Sequence, residues 1–361
     1  MLHLIKSFLN CSRALLLACT LAASFLAGCT RVELENKADA YNQAIAESNN
    51  RQILLNAVRA SQRAPMSFVG FGDVSATPNW SGTASGTFNF DPTVVTSGGL
   101  TSYSVNPSVS YSGGFSSFSM NNLNNSVFAN KLQRRLPNWI VQYFVSLRFP
   151  EELVQLIFVQ EYKVSTQQHA KIESAVEERC SIRDNKRTKE FCEQFDDDRE
   201  ALKDCPPDYH PGGATRTILN SGRDRCGMTR FQAFERKLRF LNMALPFTTR
   251  SGQGVLYYLG ELIAAQNYST HEFTPKIFVL VEGRHTTVPL FEVRRGVPGP
   301  GEAAVAVVYG GESFYIPKPA FGSVDEARSL QVLDLVTQII TEATGKETLP
   351  KNSTVTLVQS R

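Results

Sequence analysis

Excess charge of one sign is missing from this sequence. It contains 37 basic and 34 acidic residues in 361, which gives a formal net charge of +3 at pH 7. Proteins that bind nucleic acids carry a large basic excess or a basic stripe, because contacts with phosphates dominate their affinity. The basic pairs here, such as Arg134 with Arg135 and Arg294 with Arg295, are isolated along the chain. The composition therefore argues against a nucleic-acid partner.

Catalytic and cofactor motifs are missing too. The sequence has no His-Glu-x-x-His zinc motif, no Gly-x-Ser-x-Gly elbow, no Ser-x-x-Lys pair and no phosphate loop after a predicted strand. The acidic run Asp196–Asp198 lacks the alternating ligands and the glycine of a calcium loop, so we expect a solvated face there. Four isolated histidines are interpreted as surface or capping residues: His169, His210, His271 and His285. We expect no metal, no cofactor and no identifiable catalytic residue.

The N-terminal segment has the three-part layout of a secretory signal. Lys6 and Arg13 provide a basic start, an apolar run covers residues 14–25, and no acidic residue precedes Glu33. The segment closes with four residues: Leu26, Ala27, Gly28 and Cys29.

These four residues resemble the lipobox of bacterial lipoprotein precursors. The resemblance implies cleavage before Cys29 and a lipid such as palmitate on its sulfur. Thr30 stands where lipoproteins kept in the inner membrane often carry aspartate, so the resemblance implies an outer-membrane anchor facing the periplasm. A transmembrane helix and an ordinary secretory signal are the alternatives, but the apolar run is shorter than the roughly 20 residues that a spanning helix needs. Residues 42–47 and 54–60 are also similar to the start of uncharacterised proteobacterial lipoproteins.

The seven cysteines fall into three groups. Cys11 and Cys19 lie in the signal, Cys29 is the lipidation site, and four more follow: Cys180, Cys192, Cys205 and Cys226. An exported protein reaches an oxidising compartment, which predicts two disulfides among these four. A zinc site and free thiols are the alternatives, although no Cys-x-x-Cys pair supports zinc. All three possible connectivities stay open.

Composition and periodicity divide the chain into six sections. These are the signal peptide (1–28), a lipid-anchored tether and helix (29–65), a β section rich in glycine, serine and aromatic residues (66–120), a helical pair (121–164), a charged insertion containing cysteines (165–228) and a C-terminal α+β region (229–361). Within the β section, alternating polar and apolar residues predict strands over 84–90 and 103–111. Pro107 favours an edge strand or a bulge, and disorder is the alternative for parts of this section, such as 113–119.

Helical periodicity predicts the remaining elements. Helices are expected over 127–136, on either side of Phe149 and Pro150 within 139–158, and over 230–244, 254–267 and 327–344. Strands are expected over 276–281, 288–293, 303–308, 313–316 and 354–358. The result is an α+β fold with an N-terminal helix, an antiparallel β section, a helical middle and a C-terminal antiparallel sheet with packed helices.

The leading functional hypothesis is a lipid-anchored envelope protein that acts as a periplasm-facing scaffold or interaction lipoprotein. Its expected partners are the membrane, through the lipid on Cys29, and another envelope protein. A first alternative is an oligomeric outer-membrane pore, because the nine residues 103–111 match a spanning strand with tyrosine at both ends. A second alternative is an envelope hydrolase, which would need a pocket that joins a carboxylate or a histidine to a serine.

Overall fold

The computed structural model describes residues 39, 42–78, 114–206, 215–268, 273–281, 284–319 and 327–344. The signal segment with Leu26–Cys29 lies outside the described residues, and so do the predicted strands over 84–90, 103–111 and 354–358. The chain divides into two units, Met1–Asn49 and Asn50–Arg361. The packing described below is that of the second unit.

The fold class is α+β, as the sequence predicts. The described helices are α1 (42–61), α2 (Ser126–Gln133), α3 (Trp139–Ser146), α4 (Glu151–Phe158), α5 (Thr166–Ile182), α6 (Lys186–Ala201), α7 (Arg225–Phe240), α8 (Gly252–Asn267) and α9 (Arg328–Ala343). The described strands are β1 (Val69–Pro78), β2 (Gly114–Asn122), β3 (Val159–Ser165), β4 (Thr215–Leu219), β5 (Phe247–Thr249), β6 (Lys276–Val281), β7 (Arg284–Pro289), β8 (Arg294–Arg295), β9 (Ala303–Tyr309) and β10 (Glu312–Pro317).

The strands form small antiparallel sheets. Their orders are β1-β2, β4-β3-β5, β6-β7 and β8-β10-β9. The β1-β2 pair, with Val69 opposite Asn122 and Pro78 opposite Gly114, overlaps the predicted β section, runs two residues beyond its end at 120, and includes residues 114–119. The predicted C-terminal sheet is two separate sheets, β6-β7 and β8-β10-β9, among the described strands.

Three helices end in the same way, in a Schellman motif. At the end of α3 the amide of Phe149 donates to Phe144 O at 3.3 Å and that of Arg148 to Val145 O at 3.0 Å. Arg148 adopts the left-handed conformation that this motif requires, with φ of 70°, and Pro150 prevents continuation. The same pattern ends α1 at Arg63 and α7 at Asn242. The predicted helix break at Phe149 and Pro150 is therefore confirmed.

The predicted strand over 288–293 is displaced. The strand of this region is β7, which ends at Pro289. Over residues 291–293 the backbone makes its hydrogen bonds with side chains of α8 and α9 and not with any described strand. Gln266 Nε2 donates to Phe291 O at 2.6 Å, and Val293 N donates to Gln266 Oε1 at 3.0 Å. Residues 288–293 therefore have the apolar composition of a strand, but beyond Pro289 they are not paired with another described strand.

The core gathers around α4 and α8. Buried side chains from α1, α7 and α9 pack against these two helices, including Leu54, Phe231 and Leu335. The approach of α8 to α1 is close enough to require glycine, because a Cβ at Gly260 would lie 2.7 Å from the carbonyl carbon of Ala60. This packing fixes the N-terminal end of α8, where the candidate site lies.

Candidate functional site

A cavity of about 420 Å³ opens where the N-terminus of α8 meets the ends of α2 and β4. We name it the Arg250 cavity. Ten of its twelve lining residues carry polar side chains: Gln133, Arg135, Gln160, Asn220, Ser221, Arg250, Ser251, Tyr257, Tyr258 and Glu261. Pockets for drug-like molecules are lined mainly by apolar groups. This lining therefore suits a polar ligand.

Backbone pairing brings the two sides of the cavity together. Arg135 and Ser251 form an antiparallel bridge, and the amide of Leu136 donates to Arg250 O at 3.0 Å. The hydroxyl of Thr249 also donates to Leu136 O. The segment after α2 thus extends the pairing of the chain that enters α8, which holds Arg135 at the rim.

Arg250 lies at the inner wall and is 5% exposed. Its Nη1 faces the carbonyls that end α4 and begin β3, at 3.2 Å from Leu156 O, 3.1 Å from Ile157 O and 2.6 Å from Val159 O. Its Nη2 donates to Asn220 O at 2.6 Å. The last carbonyls of a helix have no partner within the helix and carry partial negative charge. The guanidinium therefore caps α4 at the point where the chain changes directly from helix to strand.

Asn220 completes this cap. Its Nδ2 donates to Leu156 O at 2.8 Å and to Val159 O at 2.9 Å, which fixes the orientation of the amide. Its Oδ1 is buried and accepts no hydrogen bond of good geometry from the described residues, although the side chain of Tyr258 interacts with the Asn220 amide. A buried acceptor without a donor is unfavourable by about 1–3 kcal/mol.

The charge of Arg250 is compensated by dipoles and a ring. Among the described residues no carboxylate lies within ion-pair distance of its guanidinium, whose central carbon lies 3.8 Å from the ring centre of Tyr258. Burial lowers the pKa of Arg250 to about 10, so it is charged at neutral pH, while Tyr258 and Glu261 act in the opposite direction. Burial also raises the pKa of Tyr258.

The rim adds an exposed cation and one acid. Arg135 is exposed, and Glu261 accepts from the amide of Gly222 at 3.1 Å. With Arg250, these side chains give the lining a net charge of +1. The first turn of α8 carries no acidic residue, and its N-terminal dipole adds positive potential at the same end. The cavity therefore favours an anion.

A nucleophile with its base is not assembled here. Ser251 Oγ accepts from the amide of Gly254 at 2.9 Å as the N-cap of α8. In the described part of the chain no hydrogen bond links Glu261 to Ser221 or Ser251. The cavity thus brings one carboxylate and two serines into the same lining, without the hydrogen bond between nucleophile and base that an assembled hydrolase site shows.

The predicted disulfides are present in the structure. Cys180 pairs with Cys192 and Cys205 with Cys226, with Sγ–Sγ distances of 2.00 and 1.99 Å. The first joins α5 to α6, and the second joins the segment after α6 to the first turn of α7. In the described residues no group of three or more His, Cys, Asp or Glu side chains could hold a metal ion, which gives no support to the zinc alternative.

Other predicted residues have structural roles or lie outside the described residues. The ring of His169 stacks on that of Phe234 with centroids 5.7 Å apart, whereas His210 and His271 lie outside the described residues. The expected solvated face at Asp196–Asp198 is wrong for Asp198, whose side chain is 14% exposed and binds Arg236. Arg236 also lies 3.4 Å from Glu152, so this buried cation needs both carboxylates. No described helix is long and apolar enough to cross a bilayer.

An exposed apolar face lies on α3. Trp139 is 63%, Tyr143 46% and Leu147 47% exposed, while Val141 and Phe144 of the same helix are buried. The three exposed residues are four apart and share one side of the helix. We name them the α3 surface.

Sequence reasoning did not identify Arg250 or Asn220. The segment Ser251–Gly254 carried a recognisable helix-start pattern, which positions the cavity, but nothing local distinguishes a buried arginine from the many exposed ones. Comparison of the chain with protein-family models, curated proteins and solved structures found no match to any of them.

Proposed function

We propose that the chain is a lipid-anchored interaction protein of the bacterial envelope, and that its Arg250 cavity binds a small anion carrying hydroxyl groups. The lipobox-like Leu26–Cys29 supports the anchor, and the two disulfides fit an oxidising envelope compartment. The same compartment contains the envelope components expected as partners.

The ligand class rests on Asn220 Oδ1, a buried acceptor in a cationic cavity. A hydroxyl donor would satisfy it, and the exposed guanidinium of Arg135 would bind a carboxylate or phosphate in a paired geometry. The exposed side of Tyr257, 39% accessible at the rim, offers an apolar surface to a sugar ring. A sugar acid or a hydroxy acid combines these features.

Calorimetric titration of the full chain in detergent tests the proposal with three probes. Glucuronate presents a carboxylate and hydroxyls, glucose lacks the carboxylate, and inorganic phosphate lacks the carbon-bound hydroxyls. We expect glucuronate to bind most tightly. Losing the carboxylate is expected to weaken binding about tenfold, because a charge-assisted hydrogen bond contributes about 1.5 kcal/mol.

A matched pair of variants assigns the site. Arg135→Ala should weaken glucuronate binding about tenfold and leave glucose binding unchanged. Arg134→Ala removes the neighbouring exposed cation, which does not line the cavity, and should leave both affinities unchanged. Equal loss in both variants, or no binding of glucuronate at concentrations where phosphate binds, would contradict the ligand class.

A further inference from the structure

We infer that the α3 surface is a membrane-docking face that contacts a phospholipid surface containing anionic headgroups. The inference goes beyond the proposed anchor and ligand, because neither of them involves α3. Trp139, Tyr143 and Leu147 are large, exposed and apolar or amphipathic. Tryptophan and tyrosine are the side chains most enriched at membrane–water interfaces, where the ring is apolar and its polar atom stays in contact with water.

The basic residues near the α3 surface in sequence indicate an anionic membrane as its partner. Residues 126–150 contain four basic residues and no acidic one: Lys131, Arg134, Arg135 and Arg148. The three arginines are exposed and lie on either side of α3 in sequence. The chain as a whole is close to neutral and the exposed Glu151 follows directly, so this excess of basic residues is a local feature. Basic residues beside an apolar helix face are typical of helices that lie on anionic membranes.

The apolar area continues beyond α3. Asn138 Nδ2 donates to Phe247 O at 3.2 Å, which ties the start of α3 to the segment 241–247. That segment has no charged residue and exposes Met243 at 40%. The rim of a protein–protein interface is polar and solvent-accessible, without a preferred sign of charge. An uncharged centre with a local excess of basic residues beside it in sequence instead matches an anionic lipid surface.

The inner side of α3 keeps this face rigid. Phe144 stacks on Phe158 of α4 at 5.2 Å between ring centres, and its edge meets Phe149 at 5.8 Å. Trp139 and Tyr143 meet edge to face at 6.0 Å. The exposed rings thus form a fixed pair on a buried support, so little conformational entropy is lost when they enter an interface.

Quenching of tryptophan fluorescence by brominated phospholipids tests the contact directly. The full chain is reconstituted into vesicles of phosphatidylcholine with or without phosphatidylglycerol, both brominated on the acyl chains. The sequence has two tryptophans, so the Trp139→Phe variant identifies the signal of Trp139 by difference. We expect quenching of Trp139 that is several-fold stronger when phosphatidylglycerol is present and that falls with added salt.

Two double variants remove the same charge from different places. Arg134→Gln with Arg148→Gln should reduce the phosphatidylglycerol-dependent quenching several-fold, whereas Lys186→Gln with Arg187→Gln, exposed on α6, should not. Arg135 is left intact because it lines the Arg250 cavity. Absence of Trp139 quenching in both kinds of vesicle would overturn the inference and favour a protein partner for the α3 surface. Equal quenching with and without phosphatidylglycerol would overturn the preference for anionic headgroups. Titration with glucuronate is independent of both results.

Discussion

The centre of the molecule, α4 with β3 and α8, differs from the insertion of α5 and α6 in how much of each helix is buried. Six of the eight residues of α4 and ten of the sixteen of α8 are buried. In α5 two of seventeen are buried, and in α6 three of sixteen. Apolar burial contributes about 25 cal/mol per Å², so the insertion gains little from it.

The insertion is held by other means. Disulfides join α5 to α6 and the end of α6 to α7, and Lys237 of α7 lies 2.6 Å from Glu173 of α5. Phe191 and Phe240 stack at 3.8 Å across the same boundary. The centre instead depends on packing and on the buried cap that Arg250 and Asn220 place on α4. The two regions should therefore respond to different perturbations.

The largest effect is expected from Arg250→Met, which breaks the centre. Methionine preserves much of the side-chain volume but leaves the carbonyls of Leu156, Ile157, Val159 and Asn220 without this donor. Asn220 still donates to Leu156 O and Val159 O, so the carbonyls of Ile157 and Asn220 lose a donor, at about 1–3 kcal/mol each. We expect the free energy of unfolding, measured by denaturant titration with circular dichroism, to fall by that order.

Arg135→Met is the matched control, because it removes an exposed guanidinium from the rim of the same cavity. A change within about 0.5 kcal/mol is expected for it. If Arg250→Met unfolded at the same denaturant concentration as the control, the cap on α4 would contribute no stability. The comparison separates a role in folding, which only Arg250→Met should weaken, from a role in ligand binding, which both changes should weaken.

The same contrast explains how much of the fold could be predicted. Helix boundaries at Phe149 and Pro150 are local signals, and the structure follows them. Strands β3, β4 and β5 carried no signal strong enough to identify, because β3 follows α4 without a turn and β5 has three residues. Their pairing depends on Arg250 and Asn220, whose contacts lie 30 to 94 residues away in sequence.

The candidate site was out of reach of sequence reasoning for the same reason. Two disulfides could be predicted because cysteine is the residue type that forms them, although the sequence could not decide which cysteines pair. Arg250 looks like any other arginine until the fold buries it. The run Asp196–Asp198 gives the opposite case, since α7 brings Arg236 against Asp198 and so buries a carboxylate that the pattern assigns to solvent.

A smaller and more local effect is expected from removing the first disulfide. The double variant Cys180→Ala with Cys192→Ala removes the covalent link between α5 and α6. A disulfide that closes a loop of this size stabilises the folded state by about 3 kcal/mol. The loss should be concentrated in the insertion, because local opening depends on local contacts. Limited proteolysis with mass spectrometry should find new cleavage sites within 183–192 before any site in α4 or α8. First cleavage in the centre would contradict the division into two regions.

An effect confined to a pH window is expected at Glu235, which lies on α7 between the two regions and is 3% exposed. Burial raises the pKa of this carboxyl from its usual value near 4.5 to about 7, although the ion pair with Arg239 acts in the opposite direction. The folded chain then keeps a proton that the unfolded chain releases. The free energy of unfolding therefore falls as pH rises from about 4.5 to about 7, and it is constant at higher pH.

The Glu235→Gln variant keeps an acceptor for Arg239 but has no group that titrates at this position. We expect thermal melting at several pH values to show a shallower decline for this variant, by up to about 3 kcal/mol across that window. The raised pKa of Asp198, caused by its burial, contributes the same slope to both proteins and cancels in the comparison. Parallel curves for wild type and variant would mean that Glu235 is already ionised in the folded chain, with Arg239 compensating its burial.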